Sequence, residues 1–118
     1  MHRKDALGRF GEDLAARHLV DTGAVILDRN WRCRSGELDI VARDGDALVI
    51  CEVKTRSSDR YGTPLEAITH RKLRNLRSLA LAWITEHAVN AGTIRLDVIG
   101  ITTSGPGAPV IHHLRDVC

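Results

Sequence analysis

An aspartate, a glutamate and a lysine stand on two apolar runs, Gly36-Glu37-Leu38-Asp39-Ile40-Val41 and Val49-Ile50-Cys51-Glu52-Val53-Lys54. Only Arg43-Asp44-Gly45-Asp46, a turn-prone string, lies between the runs. Alternation along the second run sends Leu48, Ile50, Glu52 and Lys54 to one face and Val49, Cys51 and Val53 to the other. Both faces begin apolar, the pattern of a central strand covered on both sides. A carboxylate and an ammonium at the end of such a strand are costly unless they are paired or bind a metal. A hairpin turning near Asp44-Gly45-Asp46 sets Asp39 opposite Cys51 or Glu52, with neighbours roughly 4.5–8 Å apart. Two carboxylates at that distance repel, and a divalent cation between them relieves the repulsion. Magnesium suits them, because it takes oxygen ligands and usually only one or two carboxylates. Lys54 points to the same side as Glu52, where it can meet a water, a phosphate oxygen or a carboxylate. A plain ion pair at the sheet end, Glu52–Lys54 or Asp39–Lys54, accounts for the same string, and the string alone does not choose.

Those residues need a scaffold, and 118 residues supply one domain with one substantial core. Hydrophobic residues at 43% and charged residues at 27% are ordinary for a folded globular chain and argue against disorder. The apolar runs are far too short to span a membrane, and Met1-His2-Arg3-Lys4-Asp5 has no apolar signal core behind it. A cytoplasmic protein without a membrane partner is the expectation. Three cysteines, odd in number and without C-x-x-C spacing, exclude a disulfide framework and a zinc site, and Cys51 reads as a small buried residue. The net charge of +2 says little, but its distribution says more. His70, Arg71, Lys72, Arg74 and Arg77 crowd one segment and Arg29, Arg32 and Arg34 another, whereas the motif itself is acidic. Basic surface around an acidic pocket suits a polyanion gripped outside and a metal held inside.

Helical spacing predicts a first helix over Lys4–Thr22, stopped at Gly23, with Leu7, Phe10, Leu14 and His18 on the buried stripe beside Gly11, Ala15 and Leu19. Glu12 falls on its flank, among small residues that would let the helix approach a sheet. Ala24–Asp28 reads as a strand, followed by the hairpin and a polar loop from Arg56 to Gly62. Thr63-Pro64-Leu65-Glu66 has the form of a helix start, and helical periodicity continues to Ile84 with a break near Thr69. Arg95–Ile101 and Val110–Leu114 complete the strands. The expected fold is α/β, ordered α-β-β-β-α-β plus a terminal strand, with a mixed central sheet in a single domain over 1–118. Residues 7–101 form its core and 102–118 a terminal loop and short strand.

That order, with Asp39 and Glu52-Val53-Lys54 on the second and third strands, resembles the restriction-endonuclease-like core and its PD-(D/E)-x-K signature. More closely, the chain resembles the YraN-like uncharacterised protein family 0102, relatives of archaeal Holliday junction resolvases. The stretches that carry the likeness are Gly8-Arg9-Phe10-Gly11-Glu12, Asn30-Trp31-Arg32, Gly36–Val41, Glu52-Val53-Lys54-Thr55-Arg56, Gly62–Ala67, Lys72 and Arg95–Ile99. Leu38 stands where the signature has proline. The resemblance implies Asp39 and Glu52 as metal ligands, assisted by the Val53 carbonyl. It implies Lys54 as the group that orients the attacking water, and Glu12 as the holder of a metal-bound water or second ion. Magnesium, or manganese in its stead, is the implied cofactor.

The expected activity is metal-dependent, structure-selective cleavage of DNA phosphodiesters, branched DNA included. The alternative is a nuclease fold that grips nucleic acid or a protein partner without cutting. DNA is preferred to RNA as the partner, and a homodimer is expected because paired nicks need paired sites. Arg56, His70, Arg71, Arg74 and Arg77 are the candidate phosphate contacts. Glu37 shares a strand face with Asp39 and stays secondary. Asp97 reads as a structural partner of Arg95, His112 and His113 as a solvated tail, and Trp31 as a core or strand-edge residue rather than a base-stacking platform.

Overall fold

The computed structural model describes residues 5–57, 68–103 and 106–117. Its elements are α1 (Ala6–Asp21), β1 (Val25–Cys33), β2 (Gly36–Asp44), β3 (Ala47–Arg56), α2 (His70–His87), β4 (Thr93–Thr102) and β5 (Val110–Leu114). The five strands make one mixed sheet in sequence order. β1, β2 and β3 form an antiparallel meander, β3 and β4 are parallel, and β5 returns antiparallel on β4. Antiparallel neighbours need only short turns, whereas the parallel step needs a crossover, which α2 provides. The element order agrees with the α/β reading of the sequence. The helix start expected at Thr63-Pro64-Leu65-Glu66 lies outside the described residues; α2 is capped at Thr69, whose side chain accepts from the Lys72 N–H at 3.1 Å.

Alternation along the central strands builds two cores. On one face Val49 and Cys51 of β3 pack with Ala15, Ala16 and Leu19 of α1 and with Ile99 and Ile101 of β4. On the other, Leu48 and Ile50 pack with Leu76, Leu79 and Trp83 of α2. β3 is therefore a central strand covered on both faces, and its charges arrive only where α2 begins.

Two elements depart from the sequence reading. The buried stripe of α1 is Gly11, Glu12, Ala15, Ala16 and Leu19, while Leu7 and Phe10 are exposed. Small side chains win this face because the helix is pressed onto β3: a Cβ on Gly11 would fall 1.8 Å from Thr55 Oγ1. β1 runs five residues beyond Asp28, to Cys33, pairing with β2 as far as Cys33 opposite Gly36. Its second half is polar because it is an edge strand, which lacks the two-faced burial that marks β3. A register shift between Ile26 and Asp28, and left-handed backbone at Asn30 (φ 53°), interrupt its alternation further.

Candidate active site

The β2–β3 hairpin positions the acids. Asp44 pairs with Ala47 across a two-residue turn that opens on Gly45, whose φ of 59° suits glycine. The ladder continues to Ile40 opposite Cys51, and Asp39 and Glu52 are the residues next to that last pair. Asp39 accepts a hydrogen bond from the Val53 N–H at 2.9 Å, so a side chain takes over where the regular ladder ends. Asp39 and Glu52 are 6% and 7% exposed, which places two carboxylates inside the protein at the end of its central strand.

Two lysines answer them. Lys72 Nζ lies 2.6 Å from Glu52 Oε2 and Lys54 Nζ 3.7 Å from the same oxygen. Burial, and then the charge of Asp39, raise the Glu52 carboxyl above its ordinary range, against the opposing pull of Lys72. Burial, with Lys72 beside it, lowers the Lys54 ammonium. Burial works against the Lys72 ammonium too, but its pairing with Glu52 outweighs that and raises it. The four charges face a cleft of about 350 Å³ that Glu37 and Asn75 also line.

Lys72 is the residue that the motif reading left out of the site. Its signal was present: Lys72, Leu76, Leu79 and Trp83 are spaced by four, three and four, so the lysine continues the apolar stripe of α2 into the cleft. Glu12 is as buried as expected of a functional acid, at 1% exposure, but it is held on the α1 side. Its Oε1 accepts from Arg29 Nη2 at 3.0 Å, Arg29 Nε at 3.2 Å and Asn30 Nδ2 at 2.8 Å. Glu12 is not among the residues lining the cleft. Neither is Arg56, half-buried at the end of β3, whose carbonyl accepts from the Thr103 N–H. Of the basic residues at the start of α2, Arg71 and Arg74 line a hollow of about 760 Å³ next to the cleft, with Ser78 on the same side. His70 and Arg77 are exposed beside it and do not line it.

Three further sequence readings are resolved by their partners. Asp97 is fully buried and held by Arg95, whose Nε and Nη2 donate to it at 3.0 and 3.1 Å, and by the Asp116 N–H at 3.0 Å. His113 is no solvated tail: its Nε2 is 2.7 Å from Asp97 Oδ2 and its Nδ1 is 3.1 Å from His18 Nε2. β5 places His113 opposite Ile99, two residues from Asp97 along β4, a register that the sequence does not display. Burial opposes the Asp97 charge, but His113, Arg95 and the Asp116 N–H together hold its carboxyl below the ordinary value. Trp31 packs on the α2 core and its Nε1 donates to Glu86 at 2.8 Å, a strand-edge residue as read.

The profile of an uncharacterised protein family, UPF0102, matches residues 11–101. The chain belongs to that family. It is 55% identical to a UPF0102 protein of a Nocardioides species over 114 residues, covering 97% of this chain and 92% of the relative. It is 54% identical to a UPF0102 protein of Frankia casuarinae over 115 residues, covering 98% of each chain. A UPF0102 protein of Frankia alni is 53% identical over 115 residues, with 98% of this chain and 96% of the relative covered. The matched span contains every residue of the cleft. No helix among the described residues is long and apolar enough to cross a membrane.

Proposed function

We propose that this UPF0102 protein is a magnesium-dependent endonuclease that hydrolyses DNA phosphodiesters, branched DNA included. The observation that carries the reading is the pair of buried carboxylates, Asp39 and Glu52, at the end of a central strand, facing a cleft with Lys54 and Lys72 and with arginines next door. The charge of Asp39 disfavours that of Glu52, and adjacent carboxylates of this kind, which offer oxygen ligands, fit a hard divalent cation. Among the described residues no group of three or more His, Cys, Asp and Glu side chains is placed to hold a metal. Asp39, Glu52 and the Val53 carbonyl would therefore be the protein's share, with water completing the shell. When bound, such an ion supplies Lewis acidity toward a phosphate oxygen and an acidified water.

The chain's own groups do the rest. Lys54, its ammonium weakened by burial, orients the attacking water and faces the charge that develops on the phosphate. Lys72 reaches the same carboxylate from α2 and is free to exchange it for a phosphate oxygen. Arg71 and Arg74 hold the flanking backbone, so they set affinity and register without reading sequence. Cleavage of labelled four-way junctions, flaps and single strands in magnesium or manganese tests the proposal. Cutting that disappears in Glu52→Ala is the expected result; no cutting of any substrate, or cutting that survives the substitution, removes it.

One observation favours the alternative of a binding module. Lys72 already neutralises Glu52 at 2.6 Å, so the carboxylate has a partner without an ion. Calorimetry separates the readings, since a module has no saturable magnesium binding that Asp39→Ala abolishes.

A further inference from the structure

Three hollows on the α2 face run into one another through shared residues. The acidic cleft shares Lys72 and Asn75 with the α2 hollow, and it shares Glu37 with a third hollow, of about 360 Å³, under the β1–β2 turn. Arg32 and Arg34 line that third hollow. The trough therefore reads basic, acidic, basic: Arg71 and Arg74, then Asp39 and Glu52, then Arg32 and Arg34.

We propose that one nucleic-acid strand lies along this trough, with Arg32 and Arg34 gripping its phosphates on the far side of the acids from α2. The phosphate held at Asp39 and Glu52 is then an internal one, and no chain end is needed. This deepens the function proposed above, and it rests on that reading for the identity of the polyanion.

Three features of the turn support the assignment. Its arginines are exposed, and Arg32 pairs with Glu37 at 3.5 Å with 42% and 22% of the side chains accessible. Such a surface pair is worth little and is readily exchanged for a phosphate. Second, the turn is docked rather than hanging: at Gly36, where φ is 150°, a Cβ would meet Leu79 Cδ1 at 3.3 Å and Asn75 Nδ2 at 3.7 Å. The two basic arms are thus fixed relative to each other by packing, and the ordering cost of binding is lowered in advance. Third, neither tryptophan lines any part of the trough. The basic side chains of the trough would contact phosphates, which carry no sequence information.

Cys33 sits between the two arginines, lines the same hollow and is exposed, whereas Cys51 is fully buried. Alkylation of Cys33, in a Cys118→Ser background, therefore reports occupancy directly. The experiment measures binding of a closed circular single strand and its linear counterpart in chelator, so that no chemistry intervenes. Equal affinity for the two strands and slower Cys33 alkylation in their presence are expected. Arg32→Ala with Arg34→Ala should flatten the salt slope by about 1.4 and weaken binding roughly 25-fold at about 0.1 M salt, the share of two single-strand contacts. Parental affinity and slope in the double variant, or alkylation unaffected by the strand, overturns the path. A marked preference for the linear strand overturns the internal phosphate. If the parent binds and Arg71→Ala with Arg74→Ala weakens it while the turn variant does not, this inference alone fails. If the parent binds no nucleic acid, the proposed function fails with it.

Discussion

Among the described residues four acids are buried, and two of them show how electrostatics separates site from scaffold. Glu52 has its carboxyl raised, by burial and by Asp39, so the folded state binds its proton more tightly than the unfolded state does. Its contribution to stability is complete below the ordinary value of 4.5 and is lost as pH rises through the folded value. Asp97 is the reverse: its stabilisation is present above the ordinary 3.8 and is lost as pH falls through a lower folded value. At neutral pH without metal, Glu52→Gln should leave the unfolding free energy unchanged or higher, while Asp97→Asn should lower it by about 3–5 kcal/mol. The Asp97→Asn deficit should shrink once the pH drops below 3.8. Urea unfolding across that range checks both signs, and a Glu52→Gln loss as large as that of Asp97→Asn would make Glu52 a scaffold residue. Lys72 belongs to the same scale. Any cation entering between Asp39 and Glu52 competes with its ammonium at 2.6 Å, so Lys72→Met should tighten magnesium binding about fivefold, for a pair worth roughly 1 kcal/mol. Unchanged or weaker affinity in calorimetry would show that the lysine is not a competitor. Asp39, Glu52 and Lys54 were legible in the sequence because period-two alternation carries charge onto faces that begin apolar. Lys72 was harder to read, since a lysine at the start of an amphipathic helix looks like ordinary surface until its spacing from Leu76 and Leu79 is counted. The His113–Asp97 pair was illegible, because it depends on the register of β5 against β4.

Among the elements, those buried on both faces were the ones the sequence announced. β3 and β4 carry apolar residues at consecutive positions, and their approximate bounds follow from that run. β1 hid its second half because an edge strand needs no apolar alternation, and α1 buries Gly11, Ala15 and Leu19 as read but turns Leu7 and Phe10 outward, because small residues meet the sheet. That close approach makes a prediction. Gly11→Ala pushes a methyl against Thr55 Oγ1, Cγ2 and Cβ, at 1.8, 2.7 and 2.8 Å. It should cost about 1–3 kcal/mol of stability, the range for overpacking. Thr55→Ala removes the first two of those atoms and should restore part of the loss in the double variant; additive effects would mean that α1 shifts as a body instead. The basic start of α2 makes another. From His70 to Thr85 the helix has no acidic residue, so the charges of Arg71 and Arg74 are not offset by an i,i+4 acid within that stretch. Arg71→Ala with Arg74→Ala should weaken duplex binding and flatten its salt slope by about two, leaving magnesium binding intact. An unchanged slope would transfer the grip to the arginines of β1 and its turn.

At the scale of the whole molecule, the order of elements gave the topology because each meander strand lies beside its neighbour in sequence, and only one crossover was needed. The radius of gyration, 13.9 Å, is close to the value of about 13.5 Å expected for a folded monomer of this length. Two cores close around one sheet, so the fold does not require a second copy to bury its apolar faces. A homodimer, proposed here because a nuclease cleft would cut one strand and a two-fold junction needs two cuts, must then be an association of already folded protomers. Such an association has distinct signatures. Light scattering should return the mass of two protomers at high micromolar concentration and shift toward one on dilution. The unfolding transition of the diluted monomer should remain cooperative, and its Tm should vary only weakly with concentration, because mass action adds little where the interface is not part of the fold. Magnesium should raise that Tm in the parent and not in Asp39→Ala, since an ion bound only by the native state stabilises it. A strict monomer at high concentration, with junction binding retained, would count against paired cleavage. It would leave single-strand nicking as the chemistry of the cleft. A Tm that climbs steeply with protein concentration would instead make the dimer part of the fold and place the interface across one of the two cores.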